Sequence, residues 1–342
     1  MRNARVRARI VAVTFAASAL LARGALAHHS PAAYDMQAER TVVGTITEYD
    51  WGNPHVYLSV REVPGDRVWV VEAYSSTAMK SYGWSPTTFA IGDRVVVDGN
   101  PGRNAARSTL FLRSVRKAEA TAELFDEATA FAPPPSASTA AASHRASSLA
   151  GTWMTLVGPA FFNLIPPAVA QAATPRGAAA FAAYRDAEGP GADCIAYPAP
   201  LYMSFPGFRR IEQRDGAVVI RGEDTAVDRL VHLDVATHDG ASPSLHGHSI
   251  GRWDNGALVV DTALFAPHLL GNGAGLPSGP GKHLVERFAL NAEGGLTYTY
   301  ELEDPEYVQG RVTGTAQWVS RPDVEFAVTP CDRANARRFL AE

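Results

Sequence analysis

The sequence predicts a mainly β protein built as a small barrel followed by a larger one, and three observations predict it. Short runs rich in valine, isoleucine, threonine and aromatic residues recur along the chain, with glycine and proline between them. Residues 124–150 (LFDEATAFAPPPSASTAAASHRASSLA) break that pattern with a proline triplet and small side chains that have almost nothing to bury. Such a composition cannot offset the entropy of ordering, so it reads as a linker between two folded parts. In the second part only one segment, residues 174–187, carries a good helix pattern.

Residues 1–27 have the layout of a secretory signal. Arg2, Arg5, Arg7 and Arg9 make a basic start, residues 10–21 (IVAVTFAASALL) are apolar or small, and Ala25-Leu26-Ala27 suits a signal peptidase. The apolar run is shorter than the about 20 residues a permanent membrane helix needs. The expectation is cleavage after Ala27, no integral membrane segment thereafter, and a periplasmic or secreted product. Cleavage would remove five arginines (those four and Arg23) and no acid, leaving 26 basic against 35 acidic side chains and a formal charge of −9. That balance argues against nucleic acid or an anionic membrane as the main partner.

Residues 28–123 read as strands in order. Residues 41–50 (TVVGTITEYD) are rich in β-branched side chains, 56–60 alternate, and 67–73 (RVWVVEA) run apolar. Residues 74–82 (YSSTAMKSY) suit a short helix stopped by Gly83, and 94–98 and 109–115 complete the set. Three strands, a helix and two strands is the element order of a five-stranded OB-like barrel.

Residues 151–342 open with Gly151-Thr152-Trp153, a Gly-x-Trp as found at the first strand of lipocalin barrels. The helix at 174–187 has Thr174 as N-cap and Pro175 at its first position. Strand signals follow at 217–221, 230–235, 257–262, 283–288, 296–302 and 314–319. An antiparallel barrel or sandwich with a capping helix accommodates them. The proline-rich stretch 269–281 reads as a loop. Cys194 and Cys331 are the only cysteines. In an exported chain an even pair without a CxxC pattern reads as one disulfide, the competing reading being two buried thiols.

Several motifs carry a resemblance. His28-His29-Ser30, Gly44-Thr45-Ile46-Thr47 and Trp51-Gly52-Asn53-Pro54-His55-Val56, followed by Glu72 and Gly83-Trp84, are similar to a widespread exported bacterial family of unknown function. The second part resembles another uncharacterised module through Gly247-His248-Ser249-Ile250-Gly251-Arg252-Trp253, residues 258–262 (LVVDT), Val285-Glu286-Arg287-Phe288 and Glu303-Asp304-Pro305. Cys194 and Cys331 fall where that module has cysteines. Neither resemblance implies a reaction.

Three groups of residues are candidates for chemistry. Cleavage after Ala27 would put an α-amine and the imidazoles of His28 and His29 within a few atoms, a donor set that suits copper or zinc, copper being preferred by the Irving–Williams order, with His55 as a further ligand. The competing reading is a frayed tail and a strand-capping His55. His246-Gly247-His248 would place two imidazoles on one strand face and let them grip a metal, helped by His283 or Glu286. The plainer reading gives one histidine to a polar interior. Finally, Arg229, His248, Arg252, Asp261, Glu286 and Arg287 put charge in or beside strands, where burial demands pairing. Arg252 with Asp261 or Glu286 would be a structural ion pair, or the wall of a pocket in which His248 is a general acid or base.

The leading expectation is thus an exported metal-binding protein, with copper as its ion, using His28, His29 and His55. The alternative is a cofactor-independent barrel enzyme, an isomerase or lyase, with His248, Arg252 and Glu286 acting on a small molecule. A plain adaptor is the third reading.

Overall fold

The computed structural model describes residues 33–127, 146–155, 167–184, 189–205, 207–223, 228–273 and 275–339. The signal segment, His28, His29 and most of the linker (128–145) lie outside the described residues.

The first barrel is formed by β1 (Arg40–Asp50), β2 (Tyr57–Glu62), β3 (Val68–Glu72), β4 (Arg94–Pro101) and β5 (Thr109–Lys117), with a short β6 (Phe125–Asp126) on the edge of β5. Strand order is β3-β2-β1-β4-β5, and parallel pairing of Val70–Glu72 with Thr109–Phe111 closes it. Period-2 alternation drives this: Val42 and Ile46 of β1 point into a core shared with Leu58, Val71, Val97 and Leu112. Gly44 is dictated by close approach. A Cβ there would stand 2.2 Å from the Arg61 carbonyl oxygen, because β1 is flanked by both β2 and β4. Between β3 and β4 lies α1 (Ser76–Ser81), shorter than the residues 74–82 expected. Ser75 accepts from the Ala78 amide and starts the helix there, while Tyr74 is buried and donates to Glu127.

The second barrel is closed by nine strands: β7 (Gly151–Thr155), β8 (Phe208–Arg214), β9 (Ala217–Gly222), β10 (Arg229–His232), β11 (His248–Asp254), β12 (Ala257–Ala263), β15 (His283–Leu290), β16 (Leu296–Glu303) and β17 (Arg311–Ser320). All neighbouring pairs run antiparallel except β10–β11, which is parallel. The connection across residues 233–247 makes that crossover, and it brings His238 back over the strand ends. Trp153, Phe288, Tyr298 and Trp318 fill the interior with Ile220, Val260 and Leu284. Helix α2 (Pro175–Ala183) starts where expected, with Thr174 Oγ1 accepting from the Gly177 amide, and ends at Ala183 rather than 187.

The stretch read as a loop instead contains a hairpin, β13 (His268–Gly273) with β14 (Leu276–Ser278). Its anchors come from elsewhere in the chain. Asp304, fully buried, accepts from Asn272 Nδ2 at 2.7 Å and from the Gly279 amide at 2.9 Å. Lys282, also buried, donates to the carbonyls of Gly271 and Ala199.

The ends of the linker region belong to the barrels. Phe125 packs in the first core, and Leu149 in the second, where its carbonyl accepts from Trp153 Nε1. Cys194 and Cys331 form a disulfide. It holds the C-terminal strap, including α3 (Arg333–Ala336), against the turn at Pro190–Asp193.

Candidate functional site

In the first barrel, the Asn53-Pro54-His55 segment enters β2 through a cis Asn53–Pro54 peptide. Asn53 is buried and acts as a clasp: its Nδ2 donates to Thr329 O at 2.7 Å, and its Oδ1 accepts from the Ser76 amide and hydroxyl at 3.0 and 2.8 Å. His55 is fixed from behind by Asn335 of the C-terminal strap, which accepts from its amide at 3.2 Å and donates to its carbonyl at 2.9 Å. Its Nδ1 lies 3.3 Å from both the Ala73 carbonyl and Glu72 Oε1. Two acceptors at Nδ1 favour the tautomer protonated there, which puts the lone pair on Nε2. Glu72 Oε2 also accepts from Tyr34 Oη at 2.7 Å. Burial first, and then the Glu72 charge, push the Tyr34 hydroxyl well above its usual range, so it stays a proton donor. Tyr34 and His55 thus meet on one carboxylate.

In the second barrel the expected constellation is divided. Glu286 points inward and is fully buried, where it pairs with Arg229, not Arg252. Arg229 Nη1 donates to Glu286 Oε1 at 2.9 Å and Nη2 to Oε2, while Tyr298 Oη donates to Oε1 at 2.8 Å. Thr262 and Ser249 accept from the same Nη2 at 3.0 and 3.3 Å. Burial alone would lower the Arg229 pKa; the Glu286 charge and hydrogen bonds outweigh it and raise it. Burial, with the Glu286 charge second, raises Tyr298. The network is enclosed in apolar packing, with only Arg229 Nε left without a hydrogen-bond partner among its buried polar atoms. Arg252 is exposed on the opposite side of the wall, and Arg287 pairs with Asp254 at 2.8 Å. Strand alternation explains the division, since β11 turns Ser249 inward and His248 and Arg252 the other way.

The His246–His248 pair is divided too. Gly247 has φ +69°, so the backbone there is not extended and the same-face rule lapses. His246 is buried, its ring 5.0 Å from Tyr202. His248 instead faces a set of histidines the motifs did not bring out. His238 Nδ1 stands 2.9 Å from His248 Nδ1, and His238 Nε2 lies 3.0 Å from Asp261 Oδ1. His283 Nε2 reaches the same oxygen at 3.0 Å, and the His232 ring centroid is 5.0 Å from that of His248. Burial, then His232 and His238, hold the His248 pKa below its usual value. Burial would raise Asp261, but hydrogen bonds from His238 and His283 prevail and lower it. One signal was visible in the sequence: six of the ten histidines fall between residues 232 and 283. Among the described residues, no three His, Cys, Asp or Glu side chains already converge as a metal-ion cage.

At one end of this barrel the Lys282 ammonium lies 4.3 Å from the Phe265 ring centroid, and burial lowers its pKa to about 7. Nearby His268 is lowered to about 4, by burial first and then by Lys282.

The model of a family of unknown function, DUF6152, matches residues 17–111, a span that contains the His28-His29-Ser30 and Asn53-Pro54-His55 motifs. No curated protein sequence matches the chain. Solved structures with partial likeness include the Stn1–Ten1 complex of S. pombe, at 19% identity over 24% of this chain and 59% of that one, with a TM-score of 0.20. Rim1, a mitochondrial single-stranded DNA-binding protein of S. cerevisiae, is 11% identical over 24% of this chain and 92% of its own, with a TM-score of 0.21. The ZRD-deleted mutant of TiaS in complex with agmatine is 18% identical over 23% of this chain and 21% of its own, at 0.19. At these scores the likenesses carry no functional argument. Among the described residues no helix is long and apolar enough to cross a membrane.

Proposed function

We propose that this is an exported, periplasmic or secreted, metal-binding protein with copper as its ion, held by the α-amine and imidazole of a mature N-terminus at His28, by His29 and by His55. The observation that carries this reading is the shared carboxylate: Tyr34 and His55 both contact Glu72. His29 is five residues before Tyr34, and five extended residues span at most about 17 Å. The arm therefore has the reach to bring its imidazoles to His55. Support for the ligand role also comes from the Nδ1 contacts of His55, which resemble the outer-shell carboxylate and carbonyl partners that orient metal-binding imidazoles. An amine with imidazoles favours Cu²⁺ by the Irving–Williams order.

Export is supported by the basic start, apolar run and A-x-A site, and by the Cys194–Cys331 disulfide, which suits an oxidising compartment. The acidic balance favours an ion or small molecule over nucleic acid as partner. The second barrel, with its Gly-His-Ser-x-Gly-Arg-Trp motif, is the uncharacterised module fused to this metal-binding part. Its interior ion pair is structural in this reading.

The test is expression with the native signal, followed by intact mass and bound copper on the exported product. A chain starting at His28 with about one copper, lost in His55→Ala, is the expected result. A chain starting at His28 that stays metal-free when offered copper ends the reading.

A further inference from the structure

We propose that His232, His238 and His248 form a second metal site, on the wall of the larger barrel, for an imidazole-preferring divalent transition-metal ion such as Zn²⁺, with Asp261 as the carboxylate that positions His238. The site is independent of the N-terminal histidines and uses none of their residues.

The argument starts from protons. His238 Nε2 lies 3.0 Å from Asp261 Oδ1, an acceptor, so Nε2 carries hydrogen and a neutral His238 has its lone pair on Nδ1. That Nδ1 faces His248 Nδ1 at 2.9 Å. One proton sits between the two nitrogens. A metal ion in its place receives lone pairs from both rings and leaves the His238–Asp261 hydrogen bond intact. Zn–N bonds of about 2.0–2.1 Å in tetrahedral geometry separate two ligand nitrogens by about 3.3 Å, so the rings need open by only about 0.4 Å. The His232 ring stands 5.0 Å from that of His248 at an interplanar angle of 30°, within side-chain rotation of the same ion. His283, bonded to the same Asp261 oxygen, steadies the carboxylate from the other side.

Backbone geometry supports the arrangement. His232 closes β10 opposite Ile250 of the parallel strand β11, which His248 opens, and His238 lies on the crossover between the two strands. Asp261 lies on β12, whose residues pair antiparallel with β11, and His283 opens β15. The side chains of His238 and His283 are partly exposed, which gives an ion a way in. These rings do not yet form a cage, so the ion gathers them by side-chain rotation. Imidazoles with an outer carboxylate select Zn²⁺ or Cu²⁺ over Mg²⁺ and Ca²⁺, which take oxygen ligands.

The test is calorimetric titration of the full exported chain with Zn²⁺, using Mg²⁺ as control. The wild type and the His238→Ala/His248→Ala variant are compared in a common His55→Ala background. The expected result is loss of one Zn²⁺ equivalent in the double variant. Asp261→Asn is expected to keep the stoichiometry and weaken Kd about 10- to 100-fold, the usual cost of an outer-shell partner. Unchanged stoichiometry and Kd in the double variant overturn the proposal. Should that variant unfold, nitrogen-15 NMR of the wild-type imidazoles decides. Zn²⁺-dependent shifts at His238 and His248 Nδ1 support the site, and unmoved resonances overturn it.

Discussion

Replacing Glu286 with alanine removes the carboxylate that neutralises Arg229 inside the larger barrel. Both side chains are fully buried, and the carboxylate accepts from Arg229 Nη1, Arg229 Nη2 and Tyr298 Oη. Ser249 and Thr262 still accept from Arg229 Nη2 in the variant, but neither offers a charge. Removing one partner of a buried ion pair costs about 3–5 kcal/mol, because the remaining charge is left in a medium that solvates it poorly. At about 4 kcal/mol, a domain of this size loses roughly 8–16 °C in Tm. Urea and thermal unfolding followed by tryptophan fluorescence reads this directly, since Trp318 stacks at 6.1 Å on Tyr298. The double variant Arg229→Met/Glu286→Leu, which deletes both charges and keeps volume, is expected within about 1 kcal/mol of the wild type. A Glu286→Ala loss below about 1 kcal/mol, or a double variant as weak as the single one, would refute the assignment of this pair to structure.

Two further outcomes are expected. Lys282 has a folded pKa of about 7 against an ordinary value of 10.5, so between those pH values the unfolded chain holds the proton and the folded chain does not. Stability therefore rises with pH across that window, by up to about 5 kcal/mol relative to Lys282→Met. A wild-type-minus-variant difference that stays flat in denaturant titrations at pH 6, 8 and 10 contradicts it. Asn53→Ala strands the Ser76 hydroxyl and the Thr329 carbonyl and leaves the Ser76 amide only its 3.3 Å bond to the Gly52 carbonyl, and is expected to cost about 2–4 kcal/mol. Limited proteolysis should then cut the C-terminal strap sooner; an unchanged cleavage rate counts against the clasp.

Local chemistry determined what was legible without coordinates. Thr174-Pro175 starts a helix because cap and ring act within one turn, and α2 begins there. Alternating residues made most strands of both barrels legible, since period 2 is a property of the extended chain, although β8 was missed. The cysteine count pointed to Cys194–Cys331, now a disulfide. Glu286 also carried a signal, a charge at the inward phase between Leu284 and Phe288. Its partner did not, because Arg229 lies 57 residues away and closure of the barrel brings the two together. The hairpin β13–β14 escaped for the same reason, its anchor Asp304 lying 32 residues from Asn272. His246 and His248 were separated by one positive φ at Gly247, and the partners of His248 came from a parallel crossover. Periodicity and capping act over a few residues, and sequence alone settles them. Which buried charge meets which, and which imidazoles share an oxygen, depends on how strands far apart in the chain register across a closed sheet, and only the tertiary structure decides that.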